Sequence, residues 1–272
     1  MRLDARAALQ CHEFLHKSFA PGCFDLSERA PESEMMRELK RQGDIHEART
    51  IENLMTKKLD ILVINKDQGE IEKELTTAEA LINSTAQIII GAWISSVCEE
   101  KIAELTGRET ASDPDRVSRP DLLIRVGEGA DGKPRWAPVD IKSHDPINEN
   151  KSSKLYLATW DSLLPTEGVE TIARLDLDDA AQLAHYYEHL RTLGLATDEG
   201  FVGVIGRDIE TIAWAKLSET VLGLGGKAGD AGTDYLFRFD VAKKIVAAAR
   251  ARQNSTFLRL TLGRVQQQQY LS

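Results

Sequence analysis

The stretch "RWAPVDIKSH", Arg135 to His144, ends an apolar run with an aspartate and a lysine two positions apart. Side chains on a strand alternate between faces, so Asp140 and Lys142 emerge side by side on one face. Either they form an ion pair that closes a strand, or they are a carboxylate and a cation held together for chemistry. The flanking sequence bears on both the fold and that choice.

Immediately upstream, "RPDLLIRVG" (119–127) reads as a second strand that opens with Asp121. "EGADGKPR" between them has the Gly, Asp and Pro of a turn. A hairpin of this kind brings Asp121 and Asp140 to adjacent ends of one ribbon. Further upstream, "QIIIGAWISS" reads as a core strand, "DILVIN" as a short strand, and "TTAEALINS" as a short helix with Thr76 and Glu79 at capping-box spacing. Residues 32–55 contain no proline and carry Met36, Leu39, Gly43, His46, Thr50 and Leu54 at steps of three and four. That spacing predicts a helix with His46 on its inward face, and Gly43 there suggests a close neighbour.

Downstream, residues 145–174 read as an irregular insertion. "DLDDAAQLAHYYEHLRTLGL" (176–195) predicts a helix capped by Asp178 or Asp179 and stopped at Gly194. "FVGVIGRD" and "TIAWAKL" read as paired strands, "DVAKKIVAAARAR" as a final helix, and the glutamine-rich end as a frayed tail.

The chain of 272 residues fits one main domain. A net charge of -9 gives no global pull toward nucleic acid or anionic lipid, so any phosphate-binding surface must be local. A site that collects carboxylates for a metal is itself acidic. Cys11, Cys23 and Cys98 form no CxxC pair, which argues against a disulfide framework or zinc ribbon and for a reducing compartment; Cys11 reads as a small packed residue. With no apolar run near the roughly 20 residues that span a bilayer and no signal-peptide core, the expectation is a cytoplasmic protein without a membrane partner.

The order of these elements resembles the PD-(D/E)xK nuclease superfamily, on the residues "RPDLLI" (119–124) and "VDIK" (139–142). "QLAHY", Gln182 to Tyr186, is similar to the Q-x-x-x-Y element of the RecB-like branch, and "GDIHE" (43–47) to its helical histidine motif. The resemblance covers about residues 35 to 215. It implies an α/β restriction-endonuclease-like core, a central mixed sheet flanked by helices, with an N-terminal helical segment. The corresponding division is an N-terminal segment (1–34), a nuclease domain (35–255) and a tail (256–272).

By the same resemblance Asp121, Asp140 and Lys142 are catalytic. His46, Asp121, Asp140 and the carbonyl of Ile141 ligate Mg2+ or Mn2+, and Gln182 and Tyr186 bind substrate. The chemistry fits those residue types: a hard cation held by carboxylate oxygens neutralises the phosphate and acidifies a water, while a lysine orients that water or meets developing charge. The implied activity is DNA hydrolysis, as an exonuclease on single strands or duplex ends in recombination, repair or phage-type processing. The alternative is a catalytically silent nucleic-acid-binding scaffold. An iron–sulfur cluster is not expected, because the last cysteine is Cys98, and without a Walker A pattern any helicase or recombination partner must be a separate polypeptide.

Single motifs are weak. [DE]-x-K occurs five times, at Glu38, Glu99, Asp131, Asp140 and Glu149, and Q-x-x-x-Y recurs at Gln266 to Tyr270. Only Asp140 ends an apolar strand and only Asp121 leads directly into one. The same residues also have plainer readings: His46 as a hydrogen-bonded core histidine, Gln182 as the end of a capping box begun by Asp179, Tyr186 as core packing, and Glu47 as a solvated residue or a neighbour of the metal.

Overall fold

The computed structural model describes residues 2–20, 31–109, 115–145, 147–148, 154–165, 170–172, 174–219 and 231–251. A 3-10 turn at Ala5–Ala8 precedes helices α1 (His12–Phe19) and α2 (Glu34–Met55). Next come β1 (Ile61–Val63), α3 (Glu70–Asn83), β2 (Ile88–Ile90), α4 (Ser96–Thr106), β3 (Leu122–Glu128) and β4 (Pro134–Ile141). β5 (Ile147–Asn148), β6 (Lys154–Thr159), β7 (Glu170–Ile172) and β8 (Arg174–Leu175) lead to α5 (Leu177–Thr192). β9 (Phe201–Ile205), β10 (Thr211–Lys216) and α6 (Ala231–Arg250) complete the order.

The fold is α/β, with helices flanking a mixed sheet of eight strands ordered β1-β2-β3-β4-β9-β10-β6-β7. β2, β3 and β4 form an antiparallel meander, β4 then runs parallel to β9, and α5 lies in the crossover between them. A strand covered on both faces needs apolar side chains in both directions. β4 obeys this, with Trp136, Ala137 and Val139 all fully buried. Along β3 the two faces separate by alternation: Leu123 joins the apolar cluster that includes α3, α5 and α6, whereas Leu122 and Ile124 join the one that includes Leu54 and Trp214. The parallel seam is tight. A Cβ on Gly203 would stand 2.9 Å from Val139 Cγ2, 3.1 Å from Ile212 Cγ2 and 3.2 Å from Trp214 Cε3.

Both hairpins expected from sequence form, β3 with β4 and β9 with β10. Gly194, at φ +71°, follows the end of α5 as expected, but the N-cap is Asp176, whose carboxylate accepts the Asp178 N–H at 3.0 Å. "QIIIGAWISS" is not one strand. Gly91, at φ +72°, turns the chain after Ile90, and Ser96 already opens α4. α3 begins at Glu70, so Thr76 caps nothing, and the hydroxyl of the next residue, Thr77, accepts the Trp93 N–H at 3.0 Å. β6, inside the stretch read as irregular, joins the main sheet against β10. α6 starts well before Asp240.

α2 turns only part of its expected face inward: Thr50 and Leu54 are buried, His46 is half-buried, and Met36 and Leu39 are exposed. A Cβ on Gly43 would meet nothing within 4 Å, so no close neighbour explains that glycine. Cys11 is exposed rather than packed. Cys23, the Glu149–Lys151 tripeptide and the Gln266–Tyr270 repeat lie outside the described residues.

Candidate active site

The β3–β4 register pairs Leu122 with Val139, which sets Asp121 across from Asp140. The backbone fixes this corner: Ile141 N–H donates to Asp121 Oδ2 at 2.7 Å, and the Asp121 carbonyl accepts the Gly91 N–H at 3.1 Å. The two carboxyl groups lie within hydrogen-bonding reach of one another. On the other side, Lys142 N–H donates to Ile205 O at 2.9 Å, extending the parallel seam by one residue past the strand.

Lys142 does stand beside Asp140, its Nζ 2.5 Å from Asp140 Oδ2. The same ammonium lies 3.4 Å from Asp179 Oδ1 and donates to Gln182 Oε1 at 2.9 Å. Gln182 Nε2 then donates to the Tyr186 hydroxyl oxygen at 2.7 Å. Positions 179, 182 and 186 share a face of α5 by steps of three and four. A string therefore runs from the strand end onto the helix, joining four of the residues singled out in sequence, Asp140, Lys142, Gln182 and Tyr186. Asp121 stands at its head. His144, half-exposed, closes the far side, with Nε2 3.0 Å from Asp179 Oδ2.

His46 stands apart from the carboxylates. Its Nε2 is 3.2 Å from the carbonyl of Gly206, just beyond β9, and acts as donor there. The next residue of α2, Glu47, is the one that bears on the pair: its charge acts on Asp121, and both line a small recess of about 180 Å³. Glu47 also holds Lys66 at 3.2 Å. Among the described residues no three His, Cys, Asp or Glu side chains gather as a group that could hold a metal ion. The cation against Asp140 in this arrangement is the lysine.

The charges are strongly perturbed. Burial, and then the charges of Asp140 and Glu47, hold the Asp121 carboxyl well above the usual carboxylate range, despite the Ile141 N–H. Burial works against the Lys142 ammonium, but Asp140, Asp179 and Asp121 outweigh it and raise its pKa. Asp179 is also raised, because burial outweighs the attraction of Lys142 and His144. Burial and the two aspartates raise the Tyr186 phenol, which stays neutral.

Buried Asp140 Oδ2 has the ion pair with Lys142 but no hydrogen bond.

Sequence reasoning read Asp179 only as a helix cap and left His144 out. The three-residue step from Asp179 to Gln182 was the available signal for the first. For Glu47, its place beside positions 43, 46 and 50 on the half-buried face of α2 was the signal. No family model, curated protein or solved structure matches this chain. Among the described residues no helix is long and apolar enough to cross a membrane.

Proposed function

We propose that this protein is a divalent-metal-dependent DNA nuclease of the PD-(D/E)xK type, RecB-like in its Q-x-x-x-Y helix. In this reading it is an exonuclease for DNA ends in recombination, repair or phage-type processing, with Mg2+ or Mn2+ as its cofactor. The observation that supports it is the convergence of Asp121, Asp140, Lys142, Gln182 and Tyr186, drawn from two strands and a helix, into one linked and over-acidic corner. The order of elements is compatible as well: β2, β3 and β4 pair antiparallel, with α4 between the first two, and after β5 to β8 helix α5 leads to β9, which runs parallel to β4.

Asp121, Asp140 and the Ile141 carbonyl would hold the ion, and His46 would join them only by leaving the Gly206 carbonyl. Bound there, the metal supplies charge neutralisation at the phosphate and a more acidic water. Lys142, kept protonated by its three carboxylate neighbours, is suited to orient that water or to meet charge developing on the phosphate rather than to remove a proton. Asp179 and Gln182 fix the ammonium in place. Tyr186 accepts from Gln182 and keeps its own proton, which it can donate to a phosphate oxygen.

The decisive variant is Asp140→Asn, whose amide cannot serve as an anionic ligand. Metal-dependent cleavage of labelled DNA should fall at least about a hundredfold, the upper range for loss of support around a metal, with the circular dichroism spectrum unchanged. Undiminished cleavage by a folded variant would overturn the proposal. A wild-type protein that binds DNA and never cleaves it would support the scaffold reading instead.

A further inference from the structure

The corner lies among three recesses that share walls. The recess of about 180 Å³ is lined by Asp121 and Trp93, a second of about 530 Å³ by Gln182 and Tyr186, and a third of about 690 Å³ by Lys142 and His144. Arg119 lines both the first and the second, and Arg6 both the second and the third. Each neighbouring pair of recesses thus shares an arginine, and both arginines line the middle recess with Tyr186.

These two arginines differ from the third guanidinium of the middle recess. Arg2, in the same middle recess, is matched by Glu74 at 2.7 Å. Arg6 and Arg119 are both exposed, and neither forms a salt bridge with any carboxylate among the described residues. Arg119 is instead stacked on Trp93, its guanidinium carbon 3.6 Å from the ring centroid, which orients the planar fork without neutralising it. The acid nearest Arg6 in sequence, Asp4, accepts the Arg6 backbone N–H at 3.0 Å and so caps its own turn. In a chain with net charge -9 these two guanidiniums offer a polyanion a local cationic contact, among recesses also lined by Asp4, Glu70, Asp176 and Asp178.

We propose that Arg6 and Arg119 bind backbone phosphates of a single DNA strand that runs along the three recesses past the Asp121–Asp140 corner. Resting on the nuclease reading, this makes the N-terminal turn part of the substrate path. An arginine fork grips a phosphate through two parallel N–H bonds, so the two together would hold the backbone in register over the corner. A single strand can bend from recess to recess. A duplex, stiff over far longer distances, would meet only the rims.

The test uses the full chain with a fluorescein-labelled single-stranded oligonucleotide and the same sequence as a blunt duplex, read by anisotropy over a salt series and by cleavage in Mn2+. Arg6→Ala and Arg119→Ala should each weaken single-strand binding about tenfold and lower the salt slope by about one, with KM raised and kcat little changed. Arg119→Lys, which keeps the charge and the fold while losing the fork, should fall between wild type and alanine. Wild-type binding and KM in both alanine variants, with cleavage intact, would overturn the strand path and leave the nuclease reading standing. Weakened binding by the variants of a protein that never cleaves would support the path and overturn the nuclease reading. A wild type that neither binds nor cleaves the strand would overturn both.

Discussion

Helix α5 carries two strings of polar side chains. The outer string, Asp179, Gln182 and Tyr186, meets Lys142 at the end of β4. The inner one is built on His185 and His189. His189 Nδ1 is 2.8 Å from Ser118 Oγ and its Nε2 is 2.6 Å from Glu99 Oε1, while His185 bonds the Tyr235 hydroxyl and the Val117 carbonyl. By residue type the inner string is the more suggestive, since hydroxyl, imidazole and carboxylate stand in a row as in hydrolytic triads. Yet Ser118, His189 and Glu99 are 0%, 1% and 2% exposed and line none of the three recesses around the carboxylate corner. Burial also holds His185 well below its usual range, helped by Arg116, so it stays neutral. Each group there has a partner, and the string ties α5 to α4 and to the segment before β3. The outer string is lined by open recesses and is left with more carboxylates than cations. The difference is one of placement: the outer string borders recesses that the inner one does not, and the proposed chemistry rests on that string.

The comparison can be broken from either side. The largest effect should come from the inner string: His189→Ala strands Glu99 in the core, and leaving a buried hydrogen-bonding group without its partner costs about 1 to 3 kcal/mol, more for a charged group. Denaturant unfolding should show that loss, while any residual folded fraction keeps its kcat. A collapse of kcat at unchanged stability would make the buried row a reacting site after all.

A smaller change, of opposite character, is expected for Asp179→Asn. On the proposed nuclease reading it loosens the Lys142 ammonium while leaving both Asp121 and Asp140 in place, so kcat should drop about tenfold to a hundredfold, the range for groups that orient metal ligands. Manganese affinity by calorimetry should stay within a few-fold of wild type. If metal affinity collapses as well, Asp179 belongs to the ligand set and the lysine is not its main partner.

The smallest is Tyr186→Phe, which removes one hydroxyl from the outer string. A single polar contact is worth about 0.5 to 1.5 kcal/mol net, so cleavage or strand binding should weaken a few-fold to about tenfold with the melting temperature nearly unchanged. An effect confined to stability would move Tyr186 into the same class as His185.

The sequence made the strand ends legible because two local rules act there. Alternation put Asp140 and Lys142 on one face, and turn chemistry folded Asp121 back toward Asp140. The i to i+4 step did the same for Gln182 and Tyr186. What was illegible came from contacts with no local signal. Nothing near residue 46 in sequence shows that His46 meets the Gly206 carbonyl, 160 residues on, while Glu47 takes the place facing Asp121. Asp179 looked like a cap because caps are common, and the position was taken by Asp176. α4 was hidden because an apolar run that continues past Gly91 reads as strand until a left-handed glycine turns it.

The crowding at Gly203 gives the seam between β4 and β9 no slack. Gly203 is paired with Val139, and the next pair in the register is Val204 with Asp140. With Val139 2.9 Å from where a first carbon would stand, even a methyl group is a wedge, and its thrust is delivered one residue from Asp140, the carboxylate at the centre of the proposed site. Sequence tolerance around the corner is therefore governed partly by a position that contributes no side chain: the spacing of Asp140 from its neighbours is a dimension held by an empty place.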